Sequence, residues 1–332
     1  MAARGVRALL MAGIALELCL GAAPAVPCGT FARFETKHIP SISVEQTLIL
    51  FDEAARIEHF VREATFKDAT ASFGFVVPTP ELPTVSAVSH SPFEDLAREY
   101  PVHRDAPPPP QLAAMAAAAS EPSVRVVSRE RVGSFTAFVL AAADPRALSH
   151  WLQQNSFTTT PASEAWLRHY VALGFYYAAL RYEPPATIPP TGAARTETIR
   201  ISFSTPLPYY PYREPTPSPE SRELAVWLVS NRRYVPVSAF AAAQISWKRP
   251  LQEWRLWTQF ATGILGDDLS PLLPAKERDA ATLQAFEDQK STREGWGDIV
   301  FVPETPVAVE DSRWPNYRKL MAALDPSLAS QP

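Results

Sequence analysis

Two cysteines and twelve glycines are all that the 332 residues contain. With so few cysteines, neither a disulfide scaffold nor a Cys-rich zinc module is available. Glycine is too scarce for a Gly-rich phosphate loop, and no such loop occurs. Blocks of like charge are also missing, and the net charge is −4. Phosphate recognition needs a clustered basic surface, so nucleic acid is not expected as a partner. Beyond the first twenty-odd residues no apolar run reaches the length of a bilayer span, and no membrane segment is expected in the mature chain. Neither H-E-x-x-H nor G-x-S-x-G occurs, and the six histidines (His38, His59, His90, His103, His150, His169) show no compact ligand spacing. No metal and no cofactor is expected.

What is present begins at the N-terminus. Arg4 and Arg7 precede the apolar run Ala8 to Leu20, and Ala23-Pro24-Ala25 ends it with small residues at the two positions a signal peptidase reads. This predicts a signal peptide over residues 1–25 and an exported, periplasmic or extracellular protein. Cys19 falls inside that leader, and Cys28 lies three residues into the mature chain. An exported protein usually pairs its thiols, so a lone Cys28 is odd; it is read as an inert thiol near a terminus, with an intermolecular disulfide or lipidation as alternatives.

Hydrophobic residues make up 46% and charged residues 20%, a balance that supports a packed core. Proline is abundant, at 34 residues, and collects in loops, since it blocks helix interiors and central strands. Strands are expected at Glu45 to Asp52, Ser72 to Val77 with Pro78 as its stop, Val124 to Ser128, Ser134 to Leu140, Phe175 to Tyr182 and Thr198 to Ser204. Glu223 to Val229 and Arg233 to Val237 are expected to form a hairpin around Ser230-Asn231. Arg56 to Phe66 fits either a helical stripe or a strand. Helices are expected from Pro92 with Ser91 as cap, from Asp144-Pro145, and from Thr160-Pro161 to Gly174. After Pro250, Leu251 to Ile264, Ala275 to Gln289 and Trp314 to Leu324 look helical, with a short strand at Asp298 to Val302. The fold class is therefore α+β: a mostly antiparallel sheet with packed helices and a smaller helical C-terminal region. The division is a leader over 1–25, a domain over 26–249 with a linker-like insertion at 105–123, and a mainly helical region over 250–332.

Several of these residues carry a resemblance. Cys28-Gly29, Gln46 with Phe51, the run Phe73-Gly74-Phe75-Val76-Val77-Pro78-Thr79-Pro80 with Pro83, Val132-Gly133, Ala147 to Leu152, Tyr170-Val171 and Gly174 leading into Phe175 to Leu180 are similar to the bacterial secreted family known as domain of unknown function 2330. The similarity covers roughly residues 28 to 240. In that family the segment at Ile57 to Phe66 is a strand, which the resemblance implies here too. Family members carry a second cysteine a few residues after the first, whereas Phe31-Ala32-Arg33-Phe34 offers none. Several also end in a membrane helix, which this chain lacks. The resemblance implies a fold and an exported address, not a reaction.

Candidate chemistry is sparse. His150 and His169 lie on successive predicted helices and are the weak catalytic candidates. The run Pro206 to Pro215 places Tyr209, Tyr210 and Tyr212 in one aromatic-proline loop, a candidate stacking platform for a peptide or sugar; the alternative is a rigid loop packing those rings on the sheet. Two functions follow. The first is a non-catalytic binding or envelope-associated module, whose partner is a protein, peptide or glycan of the cell envelope. The second is a hydrolase acting on an envelope polymer, which needs a histidine and carboxylates converging in a cleft.

Overall fold

The computed structural model describes residues 30–32, 41–67, 73–101, 124–183, 194–213, 215, 223–237, 252–255, 258–273, 281–288, 297–305 and 313–324. In chain order they form β1 (Thr30–Ala32), β2 (Ser41–Asp52), β3 (Ile57–Lys67), β4 (Phe73–Thr79), β5 (Thr84–Ala87), α1 (Phe93–Glu99), β6 (Arg125–Val132), β7 (Phe135–Ala141), α2 (Pro145–Gln154), α3 (Pro161–Leu173), β8 (Tyr176–Tyr182), β9 (Ala194–Arg195), β10 (Ile199–Ser204), β11 (Tyr209–Tyr210), β12 (Glu223–Ser230), β13 (Tyr234–Val237), β14 (Gln252–Arg255), α4 (Thr258–Leu269), β15 (Thr282–Asp288), β16 (Ile299–Pro303) and α5 (Pro315–Leu324). The class is α+β, with mostly antiparallel sheets.

Three sheets share the core. A five-stranded sheet runs β1-β4-β8-β7-β6, an eight-stranded one holds β14-β15-β12-β2-β3-β10-β5 with β9 beside β3, and a small one runs β11-β16-β13. The two large sheets face each other: the rings of Phe66 (β3) and Phe73 (β4) lie 4.3 Å apart. The alternation of β10, with Ile199, Ile201 and Phe203 buried and Arg200 and Ser202 half-buried, sets one of these faces by side-chain period alone. The opposite face of the eight-stranded sheet, with Leu48, Leu50, Val61, Trp227, Val229 and Leu283, is covered by Phe93 and Leu96 of α1 and Ile264, Leu265 and Leu269 of α4. Both faces of β2 are thus buried, which explains its near-continuous apolar sequence.

Local signals place the helices over the five-stranded sheet. Asp144 caps α2 by accepting from the backbone N–H of Arg146 and Ala147, with Pro145 in the first turn. Thr160 and Ser163 form a reciprocal capping box at the start of α3, and Gly174 ends it in the left-handed region at φ 80°.

The structure corrects several expectations. β4 continues through Pro78 to Thr79, where Pro78 still lies opposite Tyr177 of β8. The first residue of α1 is Phe93, and Pro92, which offers no side-chain acceptor, stands at the N-cap position; the Ser91 hydroxyl donates to Glu63 while its oxygen accepts from the Phe93 N–H at 3.4 Å. β12 and β13 form no hairpin. β12 is flanked by β2, in parallel, and by β15, so neither of its edges is free, and β13 leaves to pair with β16. Residues 252–255, expected as helix, form the strand β14 before α4 begins. Residues 282–288, part of the stretch Ala275 to Gln289 expected as helix, are a strand between β12 and β14. Burial on both faces of the sheet outweighs helix propensity there. The leader, Cys28 and the insertion at 105–123 lie outside the described residues. Among those described, no helix is long and apolar enough to cross a membrane.

Candidate functional site

The two histidines singled out by sequence do not assemble a site. Both are half-buried, His150 on α2 and His169 on α3. Among the described residues neither makes a hydrogen bond or ion pair with a carboxylate or hydroxyl. His169 stands edge-on to Tyr170 with ring centroids 5.0 Å apart. Burial, and then the charge of Arg213, push its imidazole down to about pKa 4.

The tyrosines are not a solvent-facing platform. Tyr209, Tyr210 and Tyr212 are 0%, 0% and 1% exposed. β11 pairs with β16, which draws the aromatic-proline run inside. Tyr209 packs edge-on against Phe175 and Phe203, and Tyr210 lies against Phe60. The alternative of a rigid loop packing its rings inward is the arrangement found.

These rings close over a buried polar seam. The Tyr209 N–H donates to Glu58 Oε2 at 2.6 Å, and the Tyr210 hydroxyl donates to Glu45 Oε1 at 3.1 Å. Glu45 and Arg62 form a fully buried ion pair at 2.9 Å, and the Arg62 guanidinium lies 4.5 Å from the Phe75 ring centre. At the start of β16, Asp298 Oδ1 accepts from the Tyr170 hydroxyl at 2.8 Å and from the Arg213 N–H at 3.1 Å. Burial pushes the Asp298 carboxyl up to about 6 against those donors, and pushes Glu58 well above the usual carboxylate range. Buried carboxyls with raised affinity for protons are typical of functional sites and of structural networks alike. Here they join β2, β3, α3, β11 and β16 inside the core, where they tie elements together. Sequence reading missed Arg62 and Asp298. Arg62 carries a faint signal: it stands at a core-facing step of the alternation Phe60, Arg62, Ala64, Phe66.

A hydroxyl–imidazole pair was also missed. His59 and Ser202 are opposite each other across β3 and β10, and His59 Nδ1 lies 2.8 Å from Ser202 Oγ. Burial first, then the charge of Arg200, lower the imidazole to about pKa 4, with Asp52 opposing. The two residues are 143 positions apart, so no local spacing announces them.

An open cleft of about 590 Å³ lies at one end of the five-stranded sheet. It is lined by Val124 and Arg125 at the start of β6, Ala141 to Ala143 at the end of β7, and Gly174, Phe175 and Tyr176 between α3 and β8. The register sets Ala141 opposite both Tyr176 and Arg125, so one cross-strand row supplies its floor and both rims. Alanine and glycine leave the backbone accessible, while the exposed Arg125 and half-buried Tyr176 offer a guanidinium and a phenol. Such a lining can hold and orient a ligand. Among the described residues, no group of three His, Cys, Asp or Glu converges as a cation site.

A family model matches residues 22–254 of this chain, more than two thirds of it. The chain belongs to the family of uncharacterized proteins conserved in bacteria, DUF2330. Gly74, Gly133 and Gly174, three of the positions that carry the resemblance, sit in this family's chain at a close packing contact, at the β6–β7 turn and at the end of α3. No curated protein matches the sequence. Among solved structures, the crystal structure of baculovirus P35 is similar over 83% of this chain and 94% of that one, at 8% identity and a TM-score of 0.37.

Proposed function

We propose that this member of the family is an exported, non-catalytic binding module of the cell envelope, with the cleft between β6, β7 and β8 as its ligand seat. The lining of that cleft carries the reading: a guanidinium and a phenol stand over a floor of alanine and glycine backbone, held by hydrogen-bonded strands. These groups bind and orient a ligand through hydrogen bonds. Export is supported by Arg4 and Arg7, the apolar run behind them and Ala23-Pro24-Ala25. The test is cosedimentation of the full chain with purified bacterial envelopes, beside fractionation of the producing cell. Retention, lost about tenfold or more in an Arg125→Ala/Tyr176→Ala double variant, is the expected result. No retention, or retention indifferent to both substitutions, would overturn the reading.

The His59–Ser202 pair favours a second reading, a hydrolase acting on an envelope polymer. Its weakness is chemical: an imidazole with a pKa of about 4 is a poor general base at neutral pH. Release of soluble fragments from envelopes, abolished by Ser202→Ala in a chain that still folds, would put this reading first.

A further inference from the structure

The free edge of β6 runs directly out of the cleft, and its chemistry specifies a partner. β6 ends the five-stranded sheet, and among the described residues no strand pairs with its outer side. Seven of its eight residues are exposed or half-buried, and Val126 is one of two large apolar side chains standing exposed among the described residues. A register shift separates Val126 from Ser128, after which Ser128 to Val132 is regular strand. The main-chain donors and acceptors along such an edge are a template for another strand.

The edge is basic on an acidic protein. Arg125, Arg129 and Arg131 are exposed on β6 with Glu130 as its one acid, whereas the whole chain carries −4. Arg129 and Arg131 lie opposite Phe138 and Thr136, on the same face. Arg131 is held by Glu183 at 2.5 Å and by the Gly133 carbonyl at 2.8 Å. Arg129 has no ion-pair partner among the described residues; its guanidinium lies 5.4 Å from the Phe138 ring centre, and Phe138 is braced edge-on by Trp151 at 5.1 Å. A preset guanidinium beside an aromatic pair is the kind of anchor that carries interface energy.

We infer that β6 takes an acidic, extended peptide as an added antiparallel strand, pairing with Ser128 to Val132 and placing carboxylates opposite Arg129 and Arg131. This rests on the binding-module reading and names its partner class. A second copy of the chain fits poorly. Antiparallel self-pairing about Glu130 sets Arg129 against Arg131 and Glu130 against Glu130, and like charges directly opposite destabilise a ladder. Main-chain pairing supplies affinity, and the alternate side chains supply specificity.

The test uses three acetylated, amidated pentapeptides on the full chain: Val-Glu-Thr-Glu-Val, the same with lysine for glutamate, and the glutamate peptide with its alternate backbone nitrogens methylated. Binding is read by isothermal titration and by slowed hydrogen exchange of the β6 amides. The glutamate peptide is expected to bind and to weaken with salt; the lysine and methylated peptides are not. Arg129→Glu is expected to cost the glutamate peptide about tenfold or more and to shift preference towards lysine. Equal binding of the methylated peptide overturns strand addition, because main-chain hydrogen bonds are then idle. If no peptide binds while the chain still sediments with envelopes, this inference falls and the binding-module reading stands. If envelopes are not bound either, both fall.

Discussion

The ring of Phe157 occupies the space that a side chain on Gly74 would fill. Gly74 is the second residue of β4, and Phe157 follows α2, held there by its N–H donating to the Leu152 carbonyl at 2.8 Å. The absent Cβ thus lets the α2–α3 connection lie on the sheet, a common reason for glycine inside a strand. Gly74→Ala is expected to destabilise the fold by about 1–3 kcal/mol through overpacking. Phe157→Ala alone should cost ~3–5 kcal/mol. Their double variant should lose less than the sum, because the cavity left by the ring accepts the new methyl. Urea denaturation of the four chains measures this; strict additivity would mean that the two positions do not press on each other.

The buried tyrosines make a second expectation, one that separates a core from a binding platform. Tyr210→Ala removes a ring packed on Phe60 and the hydroxyl that donates to Glu45. A loss of roughly 3–5 kcal/mol in unfolding free energy is expected, as for other large-to-small core changes. Tyr210→Phe keeps the packing and should lose only the hydrogen bond to a charged acceptor, about 1.5–3 kcal/mol. Unchanged stability in the alanine variant would restore the surface reading of this loop.

What the sequence showed about this fold was local. Asp144, Thr160 and Gly174 mark helix ends through bonds that span only a few residues, so their chemistry is visible in the sequence itself. The alternation in β10 and the apolar runs of β2 and β8 are legible for the same reason. Pairing partners are not local. Ser230-Asn231 looks like a hairpin turn, yet nothing nearby says that β2 and β15 already hold both edges of β12. The segment Thr282 to Asp288 has helix-forming residues and becomes a strand because of what flanks it. The same limit hid the site residues. Tyr170 meets Asp298 across 128 positions and His59 meets Ser202 across 143, and no spacing rule reaches that far.

His59 and His169 should make the fold acid-sensitive. Both imidazoles are held near pKa 4, mainly by burial, against an ordinary value of 6.5. The unfolded chain therefore takes up protons below pH 6.5 that the fold refuses until about pH 4. Their contribution is fully present above 6.5 and is lost as pH falls through that window. His59→Gln and His169→Gln should each flatten the pH dependence of the unfolding midpoint. Proton NMR titration of the two rings checks the premise directly: if both titrate near 6.5, the expectation is wrong.

Asp298 should act with the opposite sign. Its buried carboxyl holds its proton up to about pH 6, whereas an ordinary aspartate releases it near 3.8. As pH rises between those values the unfolded chain gives up a proton that the fold retains, so this group's contribution to stability declines and then stays level. The total decline is roughly 3 kcal/mol at most, since each tenfold change in proton affinity is worth ~1.4 kcal/mol. Asp298→Asn removes the titration while keeping an acceptor for the Tyr170 hydroxyl and the Arg213 N–H. Both chains carry the same histidines, so the difference between them isolates Asp298. The variant is therefore expected to gain on the parent chain as pH is raised from about 4 to 7, by up to ~3 kcal/mol. A difference that stays constant over that range would mean that Asp298 ionises in the fold as readily as in water, and that Tyr170 and Arg213 hold a charged carboxylate throughout.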